Sequence, residues 1–252
     1  MCRTIVVMPT YNECANIEAI ANRLRAASPD TELLIVDDDS PDGTGELADR
    51  IAARDELVHV LHRSQKNGLG EAYRAGFAWA SLHGCDVIVE MDADGSHRPE
   101  QLPGLLAALE NADVVVGSRW VAGGEVVGWP LSRHLLSRGG SAYARVALGI
   151  PQRDVTGGYR AYRAEALTAL LSSSQISHGY GFQVELLWRA VRSGLRVTEV
   201  PISFAERQLG VSKMSAGIVL EAMLLVTRWG LTSIPERLRR SPTTPETDHV
   251  HA

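Results

Sequence analysis

Val87-Ile88-Val89-Glu90-Met91-Asp92-Ala93-Asp94 decides how the rest of this chain reads. A short β-branched run bounded by turn residues is the pattern of a buried strand. It ends in two carboxylates one residue apart, and extended backbone puts both on one side. Working outward, the same pattern recurs. Arg3 to Met8 is a β-rich run stopped by Pro9, and Leu33 to Val36 runs into Asp37-Asp38-Asp39. Leu57 to Leu61 and Val114 to Val116 complete five strands. Between them lie helical patterns: Asn12 or Asn16 to Ala27, Thr44 to Arg54, Gly68 to Leu82 and Pro99 to Leu109. Strands alternating with helices of 10–15 residues predict an α/β fold with a mostly parallel sheet and helices on both faces.

Beyond Gly117 the spacing changes. Residues 119–131 form a Gly- and Trp-containing loop, followed by a helix over Arg133–Leu148. A turn and strand over Thr156–Arg163 precede helices over Ala164–Leu171 and Phe182–Ser193, and a strand over Arg196–Phe204. These elements extend the first sheet and do not suggest an independent domain. An apolar helix over about 214–231 follows a polar loop from Glu206 to Lys213. The expected organisation is a catalytic unit over 1–213, an amphipathic membrane-surface helix over 214–234 and a disordered tail over 235–252.

With 252 residues and 45% hydrophobic composition the chain has ample material for one large core. No run of about 18 uncharged apolar residues is present, which excludes an ordinary membrane span. The N-terminal apolar run is too short for a signal peptide, so a cytoplasmic location is expected. Three widely spaced cysteines make neither a disulfide framework nor a zinc site. The net charge of -5 argues against nucleic acid as a partner. Its distribution is uneven: residues 1–112 carry 9 Lys+Arg against 19 Asp+Glu, and residues 113–252 carry 16 against 11. An acidic half suits a cation and a basic half suits an anion.

Ligands of parallel α/β sheets gather at the carboxyl ends of the strands. There Asp92 and Asp94 suit a hard divalent cation that takes its other ligands from phosphates and water. Asp37-Asp38-Asp39 needs cationic or hydroxyl donors to absorb its charge, unless it is a solvated turn. Tyr11 offers a ring for a nucleobase. Glu13 offers an acceptor-only carboxylate, which matches the paired N–H donors of guanine better than the single donor of uracil. Helix-packing and helix-dipole roles explain Tyr11 and Glu13 equally well taken singly. No P-loop and no Gly-x-Gly-x-x-Gly follows the first strand. The joint pattern points to a nucleotide diphosphate held through a cation. His97 has two readings, a site residue or an exposed loop histidine, and Asp154 has two, a ligand contact or a turn cap.

Four blocks carry a resemblance: Met8-Pro-Thr-Tyr-Asn-Glu13, residues 35–44 (IVDDDSPDGT), residues 67–73 (NGLGEAY) and residues 91–100 (MDADGSHRPE). They resemble the inverting GT-A glycosyltransferases of family 2. Gly117-Ser118-Arg119, Arg133 with Ser137, residues 154–163 (DVTGGYRAYR), 179–186 (GYGFQVEL) and the 200–213 segment narrow the likeness to polyprenyl-phosphate mannose synthases of the dolichol-phosphate type. The resemblance implies transfer of mannose from GDP-mannose to a polyprenyl phosphate, with inversion and with Mg²⁺ or Mn²⁺. It implies donor contacts at Pro9, Tyr11, Glu13, Val36, Asp38, Asp92, Ala93, Asp94, Arg119, Arg207 and Lys213. It implies metal ligands at Asp92, Asp94 and Ser96, where a hydroxyl replaces the Gln of some relatives. Arg133, Ser137 and Arg207 match the acceptor-phosphate pocket, and Asp94, Arg119, Arg133 and Arg207 are the expected catalytic set. The acceptor implies peripheral contact with the cytoplasmic membrane face. A membrane-protein partner and a homo-oligomer both stay open, as do a UDP-sugar donor and an inactive binding module.

Overall fold

The computed structural model describes residues 2–172, 181–207 and 216–239. Its strands are β1 (Thr4–Thr10), β2 (Glu32–Asp37), β3 (Val58–His62), β4 (Val87–Glu90), β5 (Val114–Ser118), β6 (Glu125–Val127), β7 (Arg160–Arg163), β8 (Val197–Pro201) and β9 (Ser203–Ala205). Its α-helices are α1 (Ile17–Ala27), α2 (Thr44–Ala52), α3 (Leu69–Leu82), α4 (Leu102–Ala108), α5 (Leu131–Leu148), α6 (Ala164–Leu171), α7 (Gly181–Arg192) and α8 (Ala216–Arg239). Seven strands form one sheet in the order β3-β2-β1-β4-β7-β5-β8, and β6 pairs with β9 in a second.

The central strands are apolar on both faces, as helices covering both sides of a parallel sheet require. Val6, Met8, Leu33 and Ile35 face one buried cluster with α1. Ile5, Val7, Leu34 and Val36 face another with α3 and α7. Alternation along the strand assigns each residue to its side. Helix α3 lies so close to β1 that a Cβ on Gly76 would stand 2.3 Å from Val7 Cγ1. Only glycine lets the two backbones approach in this way.

The structure departs from the sequence pattern at four places, the first being strand β6 inside the expected loop over 119–131. Strand β7 enters the sheet antiparallel to both β4 and β5. The expected strand over 196–204 is divided: β8 pairs with β5, and beyond Pro201 the chain leaves to pair β9 with β6. Ile202 is the crossing point: its N–H donates to the Ser118 carbonyl at 3.0 Å, and its own carbonyl accepts from Glu125 N–H at 3.0 Å. Helix α8 continues to Arg239, past the expected start of the tail, and residues 240–252 lie outside the described residues.

Parallel strands β1, β2, β4, β5 and β8 all end along one edge. The residues just past those ends therefore share a crevice, and the site is built there.

Candidate active site

A cavity of about 520 Å³ opens at that edge. Of the expected donor residues, Pro9, Glu13, Asp92, Ala93, Asp94, Arg119 and Arg207 line it. Ser96, Arg133 and Ser137 line it as well. Tyr11, Val36 and Asp38 are not among its lining residues, and Lys213 lies outside the described residues.

The carboxylates at the strand ends are held by short local bonds. Asp37 accepts from the hydroxyls of Thr10 at 2.9 Å and Ser40 at 2.6 Å. Asp38 is buried and pairs with Arg63. Burial still raises its pKa above the ordinary carboxylate value, against the pull of Arg63. Asp39 alone of the three is exposed. Hydroxyls and one arginine thus absorb the charge of the triplet. Val36 is wholly in the core, and its carbonyl accepts from the Thr10 hydroxyl at 3.4 Å. Over the Tyr11 ring, on the face read as a nucleobase platform, sits the Lys66 ammonium at 3.7 Å. Glu13 is buried and accepts from the Asn16 side-chain amide at 2.9 Å.

Asp94 is the meeting point of the two charge halves. Its Oδ1 accepts from Ser96 N–H at 3.0 Å and from the Ser96 hydroxyl at 2.5 Å. Its Oδ2 lies 2.9 Å from Arg207 Nη2. Burial alone would raise the Asp94 pKa, but the Ser96 bonds and Arg207 hold it below the usual range. Asp92 accepts from the buried Tyr73 hydroxyl at 3.2 Å, and burial raises its pKa. Among the described residues no three His, Cys, Asp or Glu side chains converge as a metal cluster. The donor set is two oxygen carboxylates beside an open cavity. That fits a hard cation which completes its shell with substrate phosphates and water.

His97 is not an exposed loop residue. It is 1% exposed, and its Nδ1 accepts the backbone N–H of Asp92 at 3.0 Å. Its ring stacks on Tyr159 at 5.1 Å and meets the Phe204 edge at 5.3 Å. Burial lowers its pKa, which keeps Nδ1 free to accept. The sequence signal for this role was only the position of the histidine five residues after Asp92; the rings that cover it come from distant elements.

The arginines come from three elements. Arg119 follows β5 and sends Nε and Nη2 to Asp154, both at 2.7 Å. Asp154 is fully buried, so its role is that of a counter-ion, neither turn cap nor ligand contact. Nη2 also donates to Thr156 at 3.0 Å. Arg133, on the first turn of α5, lies 4.2 Å from the Trp129 ring centroid and donates to Glu206 at 3.0 Å. Ser137 is one turn further along the same helix. Behind the site, Arg160 is fully buried and donates to the carbonyls of Gly157, Gln183 and Val155. Next to it Glu90 is fully buried, and that burial pushes its pKa up to about 7.

Residues 5–171 match the description Glycosyl transferase family 2. An undecaprenyl-phosphate mannosyltransferase from Micrococcus luteus is 56% identical over 237 residues, covering 94% of this chain and 98% of that one. A polyprenol monophosphomannose synthase from Mycolicibacterium smegmatis is 51% identical over 239 residues, covering 94% and 90%. Among solved structures, glucosyl-3-phosphoglycerate synthase from Mycobacterium tuberculosis, in complex with Mn²⁺, UDP and glucosyl-3-phosphoglycerate, superposes with a TM-score of 0.61 at 25% identity, covering 96% of this chain and 82% of that one. A mannosyltransferase from Pyrobaculum calidifontis, in complex with GDP-Man and Mn²⁺, shares the fold at a TM-score of 0.55 and 16% identity, covering 96% and 76%.

Proposed function

The chain belongs to glycosyl transferase family 2, and from that premise we propose that it moves mannose from GDP-mannose to a polyprenyl monophosphate with inversion. Mannose transfer to polyprenyl phosphate is the activity named for relatives above 50% identity that span nearly the whole chain. One observation carries the site assignment. Asp94, at the acidic strand ends, is bonded to Arg207, from the basic half, across a shared cavity. Donor diphosphate and acceptor phosphate would meet at that seam.

An attacking phosphate monoester has a second pKa of about 6 and is ionised near neutral pH, so it needs no strong general base. What it needs is placement opposite the leaving diphosphate and neutralised charge. Arg133, Ser137 and Arg207 place the acceptor phosphate. Arg119 lines the cavity while Asp154 fixes its guanidinium plane. Both oxygens of Asp154 are engaged by Arg119, which leaves no role for it as a covalent nucleophile. Asp92 and Asp94 would hold Mg²⁺ or Mn²⁺, which would supply Lewis acidity toward a leaving diphosphate. Ser96 orients Asp94 through its hydroxyl and is a further candidate ligand. His97 fixes the backbone of the same loop. Tyr11, Glu13, Val36, Asp38 and Lys213 complete the donor set, with guanine replacing Lys66 on the Tyr11 face.

Among the described residues no helix is long and apolar enough to cross a membrane. Helix α8 has two sides. Val226 and Gly230 are buried, and Trp229 stacks on Trp188 at 5.7 Å, so Trp229 packs inward and not toward a bilayer interface. Leu220, Leu224 and Leu231 are exposed, as is Leu131 on α5. We take these leucines as the contact with the cytoplasmic membrane face, next to a catalytic unit over 1–213 and ahead of a tail. Flotation with anionic liposomes tests this: Leu220→Ser with Leu224→Ser loses binding, and unchanged binding refutes the surface.

For the function itself, the chain is incubated with radiolabelled GDP-mannose, membrane lipids and Mg²⁺, followed by organic extraction. Label in the organic phase, displaced by unlabelled GDP-mannose and not by UDP-sugars, is the expected result. Displacement by UDP-glucose instead would overturn the donor, and no extractable label would leave a binding module.

A further inference from the structure

A transferred sugar has to lie between the leaving diphosphate and the attacking phosphate, so its contacts belong to the cavity wall between the two. Gln183 stands on that wall. It lines the cavity from the first turn of α7 and is only 7% exposed. Its side-chain amide approaches the carboxylate of Glu90, at the end of β4 and two residues before Asp92. Phe182, its neighbour in sequence, stacks on Tyr73 at 6.3 Å, and the Tyr73 hydroxyl donates to Asp92. Arg160 ties the same turn to the opposite side. Its Nη1 donates to the Gln183 carbonyl at 2.5 Å, its Nη2 to the Val155 carbonyl at 2.9 Å and its Nε to the Gly157 carbonyl at 2.8 Å. That segment follows directly on Asp154, the counter-ion of Arg119. Gln183 is thus anchored both to the carboxylate strand and to the arginine wall.

The backbone leaves a slot for this one amide. Gly157 and Gly158 are adjacent, and neither has positive φ. A Cβ on Gly157 would stand 3.0 Å from the Gly117 carbonyl oxygen, so that glycine lets two backbone segments meet. A Cβ on Gly158 would stand 2.6 Å from Gln183 Nε2, and its three nearest atoms would all belong to the Gln183 amide. Gly158 therefore makes room for a side chain, and it lines the cavity beside that side chain. Neighbouring polar groups are already committed. Ser96 donates to Asp94, Thr156 accepts from Arg119 Nη2, and His97 Nδ1 accepts from the Asp92 N–H. A hexose hydroxyl both donates and accepts, and a side-chain amide offers both counterparts.

We propose that Gln183 hydrogen-bonds a hydroxyl of the transferred hexose, and that Gly158, Glu90 and Arg160 position its amide for that contact. Gln183 then reads the sugar, a task separate from those of the groups that hold nucleotide and phosphate. This rests on the reading of the donor as GDP-mannose.

The test is calorimetry on the full chain with Mn²⁺ and no acceptor, comparing GDP with GDP-mannose. Gln183→Met keeps the length of the side chain but has no donor and at most a weak acceptor. It weakens GDP-mannose binding about three- to tenfold, the range of one neutral hydrogen bond, and leaves GDP binding unchanged. Gly158→Ala pushes the amide aside and gives the same pattern with a smaller factor. GDP-mannose analogues that each lack one sugar hydroxyl then locate the contact. One of them binds the wild type more weakly than GDP-mannose does, yet binds Gln183→Met as well as GDP-mannose does, because the interaction is already lost. If Gln183→Met fails to fold, Gly158→Ala decides alone, since its added methyl meets only the end of a flexible side chain. Equal loss of GDP and GDP-mannose, or no loss of either, overturns the sugar contact and leaves the donor reading intact. So does a set of analogues that lose affinity alike in both proteins. A wild type that transfers no mannose from GDP-mannose overturns the donor reading and the sugar contact with it.

Discussion

The proposed donor side and the proposed acceptor side of the cavity are held by different means. On the donor side, carboxylates stand at the ends of hydrogen-bonded strands and are fixed largely by hydroxyls, as Asp37 by Thr10 and Ser40, Asp92 by Tyr73 and Asp94 by Ser96. On the acceptor side, Arg133 and Arg207 come from a helix and from the segment after β9, and both are held by carboxylates, Glu206 and Asp94. The first arrangement is set by sheet register. The second is a set of ion pairs between separate elements, which an incoming phosphate can exchange for its own. The difference teaches that one half is preorganised, while the other is assembled by charge.

The sharpest break falls where the charges beside the cavity are most buried. Asp154→Ala leaves Arg119 as an unpaired buried charge and is expected to cost about 3–5 kcal/mol, read as a fall in melting temperature. A variant as stable as the wild type would mean that Arg119 finds solvent or another partner. Next comes the seam. Asp94→Asn should lower turnover by about a hundredfold or more, since metal assistance contributes several kcal/mol, with circular dichroism unchanged. Near-normal rates at limiting Mn²⁺ would detach Asp94 from the metal. Arg133→Ala removes one charge-assisted contact, roughly 1.5–3 kcal/mol. Its effect should appear in kcat/KM for the acceptor and not in GDP affinity by calorimetry. An equal loss on both would erase the distinction between the halves.

The smallest effect lies at the sheet margin of the donor half. Glu32 is bonded by Arg3 and by His59, and these partners hold its pKa below the ordinary carboxylate value. A depressed folded pKa contributes stability that is complete above the ordinary carboxylate range and vanishes as pH falls through the folded value. Glu32→Gln should therefore cost about 1 kcal/mol at neutral pH for a pair with one exposed member. The melting-temperature gap should close in acid, below about pH 4. A gap that persists there would assign the loss to packing.

Strands β1, β2 and β4 were legible because each is an unbroken β-branched run stopped by Pro or Asp. A run of this kind carries no direction, so the antiparallel course of β7 was not. The local composition of residues 94–100 is that of a polar turn, and nothing in it announces that Tyr159 and Phe204 will cover His97. The same limit applied to Asp154. Its neighbours Gly157 and Gly158 suggest a turn, whereas its function in the fold is set by an arginine 35 positions earlier. Apolar residues all round α8 left its core face undecided; the burial of Val226 and the stacking of Trp229 on Trp188 give that face its side.

Strand β7 also governs the order in which the molecule can be made. It fills the middle of the sheet, yet Tyr162 lies 72 residues after the Glu90 it bonds. At a synthesis rate of about 5–20 residues per second, β4 waits roughly 4–14 seconds on the ribosome for the strand that closes its edge. Through that interval an apolar strand presents unpaired N–H and carbonyl groups, the feature that invites pairing with another chain. A nascent chain stopped near residue 150 should be sticky, not a smaller enzyme.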